Sequence, residues 1–417
     1  MTRPREVAVV GAGALGLATA WFLQQRGVAV TVYERDRVAA GASWGNAGWL
    51  TPGIATPLPE PAVLRYGLRT ALRPSSPVYV PPRADPRLWR FLLDFARHCT
   101  DRQWQRAMAA YAPVNRIALD AFDELCAAAD VPAPREADPF IVAFRRPQER
   151  AAMVAELEHI RGIQPLEFDL ISGDRARKLE PALSSKVRAA IRLEGQRFIN
   201  PPEFVHALAD AVVAAGGKLS QGVRVRRIRE LGKVVLVETG PRLVHRYDAV
   251  VLATGAALDD LTADFGVRRH VQAGRGYSFS VPSRYLPENP LYFPGDRLAC
   301  TPLDTPDGPR LRIAGMMEFR HADEPLDPRR IAAIVAAARD LLSGADLDDR
   351  QDEWVGSRPC TADGLPLIGA TASERVHVAG GHGMWGITLG PVTGKLLAEQ
   401  IVTGVRPAEL APFDPTR

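Results

Sequence analysis

Val7-Ala8-Val9-Val10-Gly11-Ala12-Gly13-Ala14-Leu15-Gly16 opens the chain, and Val30-Thr31-Val32-Tyr33-Glu34 follows at the spacing of a second strand. An apolar run that ends in glycines at these intervals reads as a strand, a tight turn and a helix start. Gly11 permits the turn, Gly13 lets the backbone approach a pyrophosphate, and Gly16 lets the helix pack close to the sheet. The phosphates would then sit on the positive end of that helix. Glu34 is placed to accept hydrogen bonds from a ribose and would repel a 2′-phosphate. The apolar helix through Ala18-Thr19-Ala20-Trp21-Phe22-Leu23 and the turn at Gly27 complete a βαβ unit. A glycine-rich turn without a nucleotide is the competing reading; strand, glycines, helix, second strand and terminal acid in register argue against it.

Outward from this unit, 417 residues leave room for two or more packed units, and 46% hydrophobic with 24% charged residues is the balance of a soluble globular protein. A net charge of +4 is too small for this length to argue for nucleic acid, and no basic stripe with regular aromatic interleaving appears. Cys99, Cys126, Cys300 and Cys360 are far apart, so neither an iron–sulfur cluster nor a zinc site is encoded locally, and no metal is expected. A reducing compartment suits them. With the first strand this close to Met1 there is no space for a signal peptide, and no apolar stretch reaches spanning length. The expected location is cytoplasmic. The basic, aromatic segment 65–97, with Tyr66, Tyr79 and Trp89, has two readings: helical cover on a substrate domain, which is favoured, or peripheral contact with the inner membrane face.

Pro52, Pro57, Pro59, Pro61, Pro74, Pro77, Pro81 and Pro82 crowd the stretch after the first unit, where neither continuous strand nor helix is expected. Periodicity predicts a helix over 87–98 and one longer helix through Val114, Ile117, Leu119, Phe122 and Leu125. Strands are expected at 139–146, 223–225 and 234–237, and helices at 149–159, 174–180 and 202–215. A buried strand after Tyr247 runs into Ala253-Thr254-Gly255, which suits a second close backbone approach to the nucleotide. From 269 to 315 strands and turns alternate, and a helix follows over 328–342. The expected fold is α/β: a discontinuous Rossmann-like nucleotide domain (1–56, 170–268, 352–417) with an α+β substrate domain built on an antiparallel sheet (57–169, 269–351).

Three further glycine-rich stations carry chemistry. In 41–50, the small residues of Ser43-Trp44-Gly45-Asn46-Ala47-Gly48 let backbone N–H groups face a phosphate or a cofactor ring, and Ser43 and Asn46 add donors; a purely structural loop is the alternative. In 354–369, Arg358 could present its guanidinium fork to a substrate carboxylate, or close a surface or interdomain salt bridge; spacing does not choose between them. In 378–395, an apolar strand ends in Gly380-Gly381-His382-Gly383, and a helix begins near Pro391, whose start supplies free N–H groups and partial positive charge. His382 reads first as a structural hydrogen-bonding group beside the cofactor and second as an acid or base.

Taken together, these stations resemble the FAD-dependent D-amino acid oxidase superfamily, most closely its D-amino acid dehydrogenase branch, over nearly the whole chain. The most specific motifs are Gly356-Ser357-Arg358-Pro359 with Asp363-Gly364, and Gly381-His382-Gly383. The resemblance implies non-covalently bound FAD, with the substrate between the flavin ring and the antiparallel sheet. It implies cofactor contacts at Gly11, Gly13, Ala14, Leu15, Gly16, Glu34 and Arg35; at Ser43, Asn46, Ala47 and Gly48; at Val225, Ala253, Thr254 and Gly255; and at Gly383, Met384, Gly386, Ile387 and Thr388. The catalytic positions it implies are Arg358 on the substrate carboxylate, Tyr277 entering the pocket from the sheet, and His382.

The implied reaction is hydride transfer from the substrate α-carbon to flavin, leaving an imino acid that water hydrolyses. The implied substrate is a D-amino acid or a cyclic D-imino acid, with quinone or oxygen as electron acceptor. An oxidase of glycine, sarcosine or another secondary amine is a rival, and a flavin-carrying subunit of an electron-transfer complex is a non-enzyme rival. Gly274-Arg275 stands where a proline, a variable residue and a lysine are more usual, and Trp49 and Trp385 are bulkier than common; both bear on side-chain preference.

Overall fold

The strand Glu6–Val10 lies inside a six-stranded sheet, flanked by Ala29–Tyr33 on one side and Ala249–Leu252 on the other, both parallel to it. Lys218–Ser220 extends the sheet beyond the second strand, and Val376–Gly380 and Leu367–Ala370 complete the other edge; only the last pair is antiparallel. In this computed structural model, which describes residues 3–70, 76–305 and 307–417, Val7, Ala8 and Val9 are fully buried. A strand covered on both faces reads as a continuous apolar run, which is why the opening residues do not alternate. The helices Ala14–Gln25, Pro201–Ala214 and Gly390–Thr403 cover one face, and a three-stranded sheet of 227–247 packs on the other. The first and last of these helices approach so closely that a Cβ on Gly394 would lie 2.6 Å from the Ala18 backbone.

The second sheet has nine strands. Gln351–Thr361, Val271–Val281, Arg310–Phe319 and Leu298–Leu303 run antiparallel in that order, then Leu291–Phe293, Phe140–Phe144, Ala189–Leu193 and Phe168–Ser172 continue it, and the ninth, Val78–Tyr79, pairs with the end of Arg310–Phe319. One face packs on the helix Pro328–Leu341 and the other turns toward the first sheet. The structure thus has the expected architecture, a Rossmann-like unit beside an antiparallel-sheet unit.

Several local expectations change. Strands 168–172, 189–193 and 351–361 all belong to the antiparallel sheet, so the boundaries expected at 170 and 352 fall inside it; strand pairing is non-local and leaves no mark at those positions. The proline-crowded stretch contains a helix, Pro61–Thr70, begun by a proline at a position where the missing N–H costs nothing, while Pro74 lies outside the described residues. The long helix is two, Asp101–Arg116 and Ala118–Ala129, broken at Ile117 with Val114, Ala118, Phe122 and Leu125 still in one core. Residues 223–225 carry no regular element, and the strand begins at Arg227.

Candidate active site

The C-terminal ends of Glu6–Val10 and Ala249–Leu252 open onto the N-terminus of Ala14–Gln25, the crevice where such sheets bind ligands. Gly11 sits at φ +110°, and a Cβ there would lie 2.4 Å from the Ala253 carbonyl oxygen; one on Gly16 would lie 2.0 Å from the Gly11 oxygen. Gly13 caps the helix, and Ser43 Oγ accepts from the Ala14 N–H at 3.3 Å. The half-buried Glu34 carboxylate accepts from the N–H groups of Ala12 (2.8 Å) and Asp36 (3.0 Å), one on each oxygen, which leaves lone pairs for ribose hydroxyls. Thr254 Oγ1 is buried without a hydrogen-bond partner among the described residues.

Two loops close on this helix end. Asn46 Oδ1 accepts from the Gly48 N–H at 2.8 Å, and Ala47 O accepts from Thr301 Oγ1 at 2.7 Å. Gly386 packs against Leu15, Ile387 is buried in the same core, and Thr388 Oγ1 donates to Trp49 O at 3.0 Å. Gly383 is tied to the antiparallel sheet through its N–H on Pro359 O at 2.8 Å, with Met384 against that sheet's edge. Val225 is buried in the core that holds Tyr33. Arg35 is exposed and paired with Asp36 (3.0 Å) and Asp323 (3.5 Å). Bare backbone at the glycines, open helix N–H groups and an orphaned threonine hydroxyl are what a dinucleotide such as FAD requires.

Across from these loops, Trp354, Gly356, Arg358 and Cys360 project from one strand beside Gly274, Gly276 and Ser278 of its neighbour. The Arg358 guanidinium lies over Gly276, where a Cβ would come within 2.3 Å of Nη2 and 2.4 Å of Cζ and Nη1. Arg358 Nη1 donates to Met316 O at 2.8 Å, and no acidic group of the described residues pairs with it. Burial pushes its pKa below the usual arginine range. The salt-bridge alternative therefore finds no partner, and a desolvated guanidinium held only by neutral acceptors is a site for an anion.

Of the two other expected catalytic residues, Tyr277 turns away from Arg358, and His382 has the hydrogen-bonding place that was its first reading. Tyr277 is 1% exposed on the opposite face, in the core against Pro328–Leu341, and its O–H donates to Glu318 at 2.5 Å. Neighbouring side chains alternate across a strand, so a Gly276 that faces Arg358 turns Tyr277 away. His382 is buried with Nε2 3.0 Å from Thr393 Oγ1, and burial pushes its pKa down to about 3, which keeps the ring neutral. Its place is structural, at the junction of the loop and the last helix. The four cysteines are buried and free, and no cluster of metal-ligating residues occurs among the described residues.

The sequence reading missed the tryptophan wall. The Trp354 ring fills the space that a Cβ on Gly45 or Gly356 would take, at 2.1 and 2.0 Å. Arg312 stacks over Trp44 at 5.0 Å and donates to its carbonyl at 2.8 Å, and Thr301 accepts from the Trp49 indole N–H at 2.9 Å. The Trp354-x-Gly356 spacing, with a small residue on the facing loop, was the available signal.

A family model described as DAO, FAD dependent oxidoreductase, matches residues 6–400. A D-amino acid dehydrogenase of Cereibacter sphaeroides is 30% identical over 95% of this chain and 91% of that protein. Among solved structures, glycine oxidase from Geobacillus kaustophilus superposes with a TM-score of 0.75 at 24% identity, covering 100% of this chain and 99% of that one. The L-α-glycerophosphate oxidase from Mycoplasma pneumoniae, solved with FAD bound, superposes with a TM-score of 0.71 at 18% identity, covering 96% and 95%.

Proposed function

This chain belongs to the DAO family of FAD-dependent oxidoreductases, and from that premise we propose that it dehydrogenates a D-amino acid whose carboxylate is held by Arg358. When bound, FAD supplies the two-electron acceptor for oxidation of the substrate α-carbon. The residues of the chain bind and orient. Met316 O fixes one guanidinium nitrogen by a neutral contact and leaves the charge for the incoming acid; Gly276 clears the space beneath it. The N-terminus of Gly390–Thr403 presents partial positive charge on the cofactor side. Positioning of this kind can supply most of the rate enhancement.

The observation that carries the reading is the lone, desolvated Arg358, which a flavin-carrying subunit without substrate would not need. Curated relatives named D-amino acid dehydrogenase support an acceptor other than oxygen, with quinone as the chemistry that fits. Exposed Trp89 and Leu93 beside Arg87 and Arg90 on Pro86–His98 support peripheral contact with an anionic membrane; no helix of the described residues is long and apolar enough to span one. The test is anaerobic bleaching of the flavin by D- and L-alanine, proline and hydroxyproline beside glycine and sarcosine. D-amino acids should bleach it. Bleaching by glycine and sarcosine alone would replace this reading with the oxidase one, and bleaching by none would leave an electron-transfer subunit.

A further inference from the structure

The face of the antiparallel sheet that carries Arg358 also carries buried polar side chains that the carboxylate anchor does not use. Arg312 pairs in register with Ser280 on one side and Thr301 on the other, and Ser278 stands two residues from Ser280, so Ser278, Arg312 and Thr301 share one face of three adjacent strands. All three donate to main-chain carbonyls of a single loop: Arg312 Nη1 to Trp44 O at 2.8 Å, Ser278 Oγ to Gly45 O at 2.8 Å and Thr301 Oγ1 to Ala47 O at 2.7 Å. At its other end the loop reaches the nucleotide helix, where Ser43 Oγ accepts from the Ala14 N–H at 3.3 Å. The sheet thus takes up the carbonyls of residues 44, 45 and 47, while the N–H groups of Gly45 and Ala47 have no partner among the described residues. Gly45 is buried, and a buried N–H without an acceptor is rare in a folded chain.

One of these ties is made by a costly group. Nearby Arg310 pairs with Asp349 and Arg320 with Glu318, but Arg312 has no carboxylate within ion-pair distance among the described residues. Its Nε is buried without a partner, its ring contact is Trp44 at 5.0 Å, and burial pushes its pKa down to about 10. A desolvated cation held by one carbonyl and one indole face destabilises the fold relative to an apolar side chain of similar size. What it holds is the first of three consecutive anchor points on a loop whose free N–H groups lie between the two sheets.

We propose that Arg312, Ser278 and Thr301 are positioning residues for the cofactor: from the substrate sheet they hold loop 43–48 by its carbonyls, so that the Gly45 and Ala47 N–H groups are set as donors to FAD before it binds. A loop ordered in advance spares the ligand the cost of ordering it. The proposal rests on membership of the FAD-dependent family and is independent of the Arg358 reading. The test measures two quantities on the full-length protein, the FAD dissociation constant by flavin fluorescence and the melting temperature of the apoprotein. Arg312→Met should weaken FAD binding by about tenfold or more, as loss of a charge-assisted bond does, without lowering the apo melting temperature, because the lone buried charge is lost with it. Arg312→Lys, which can still donate to Trp44 O, should recover part of the affinity. Ser278→Ala should weaken FAD binding roughly threefold. A dissociation constant unchanged in both Arg312→Met and Ser278→Ala overturns the proposal. So does a loss of affinity that comes with a fall in melting temperature and is not recovered in Arg312→Lys, which is the outcome of a merely structural role. Where Arg312→Met does not fold, Ser278→Ala and Thr301→Val decide by the same two measurements.

Discussion

Gly276→Ala is the sharpest perturbation of the proposed site, because it adds one methyl whose three nearest neighbours are all atoms of the Arg358 guanidinium. The added Cβ would stand 2.3 to 2.4 Å from the guanidinium atoms, where ordinary contact begins at 3.4 Å, so the guanidinium must withdraw by about 1 Å. Gly276 lies within Val271–Val281 at a φ outside the left-handed region, opposite an irregularity in the pairing with Arg310–Phe319, so alanine adds no left-handed backbone strain. A displacement of about 1 Å in a positioning group costs on the order of hundredfold. Full removal in Arg358→Ala, which strips a desolvated partner from the substrate acid, costs about 2–5 kcal/mol. Anaerobic flavin reduction should therefore show kcat/KM falling about hundredfold in Gly276→Ala and further in Arg358→Ala, with the flavin spectrum and bound FAD unchanged in both. Two residues acting through one contact are non-additive, so Gly276→Ala should add little once Arg358 is alanine. Full activity in Gly276→Ala, or two losses that simply multiply in the double variant, would refute the placement of the carboxylate at Arg358.

Three further outcomes follow from the same contacts. Tyr277→Phe should leave kcat/KM within about threefold yet lower stability by about 1–3 kcal/mol in denaturant unfolding, since buried Glu318 loses a donor. His382 and His377 are held neutral in the fold, at about 3 and about 4, below their unfolded value of about 6.5. The unfolded chain therefore takes up protons first as pH falls, and the two together should cost roughly 4 kcal/mol between about pH 6.5 and pH 4.5; His382→Asn should flatten that slope and leave the pH profile of activity unmoved. Gly16→Ala, with its methyl 2.0 Å from Gly11 O, should fail to fold, while Gly13→Ala, which meets only Ser43 Oγ at 3.3 Å, should keep its apo melting temperature and lose the rise that FAD confers.

The cofactor crevice was legible because its signal is local: glycines at Gly11, Gly13 and Gly16 and an acid at Glu34 sit within one βαβ unit. The face of Val271–Val281 that lies under Arg358 was not, because nearly every residue of that strand is buried and no alternation of polarity marks one face. Tyr277 was the conspicuous side chain, but Gly276 faces Arg358. Arg358 stood undecided between carboxylate and salt bridge until the folded chain left it without an acid.

The choice of a carbonyl rather than a carboxylate to hold Arg358 explains how the site can be rigid and receptive together. An aspartate beside the guanidinium would fix it as well as Met316 O does, but it would neutralise the charge and repel the incoming acid. A carbonyl orients one N–H and leaves the cation uncompensated, a cost the fold carries until substrate arrives. That cost is relieved only by a ligand bearing an anion at this point, so it discriminates against amines that lack a carboxylate.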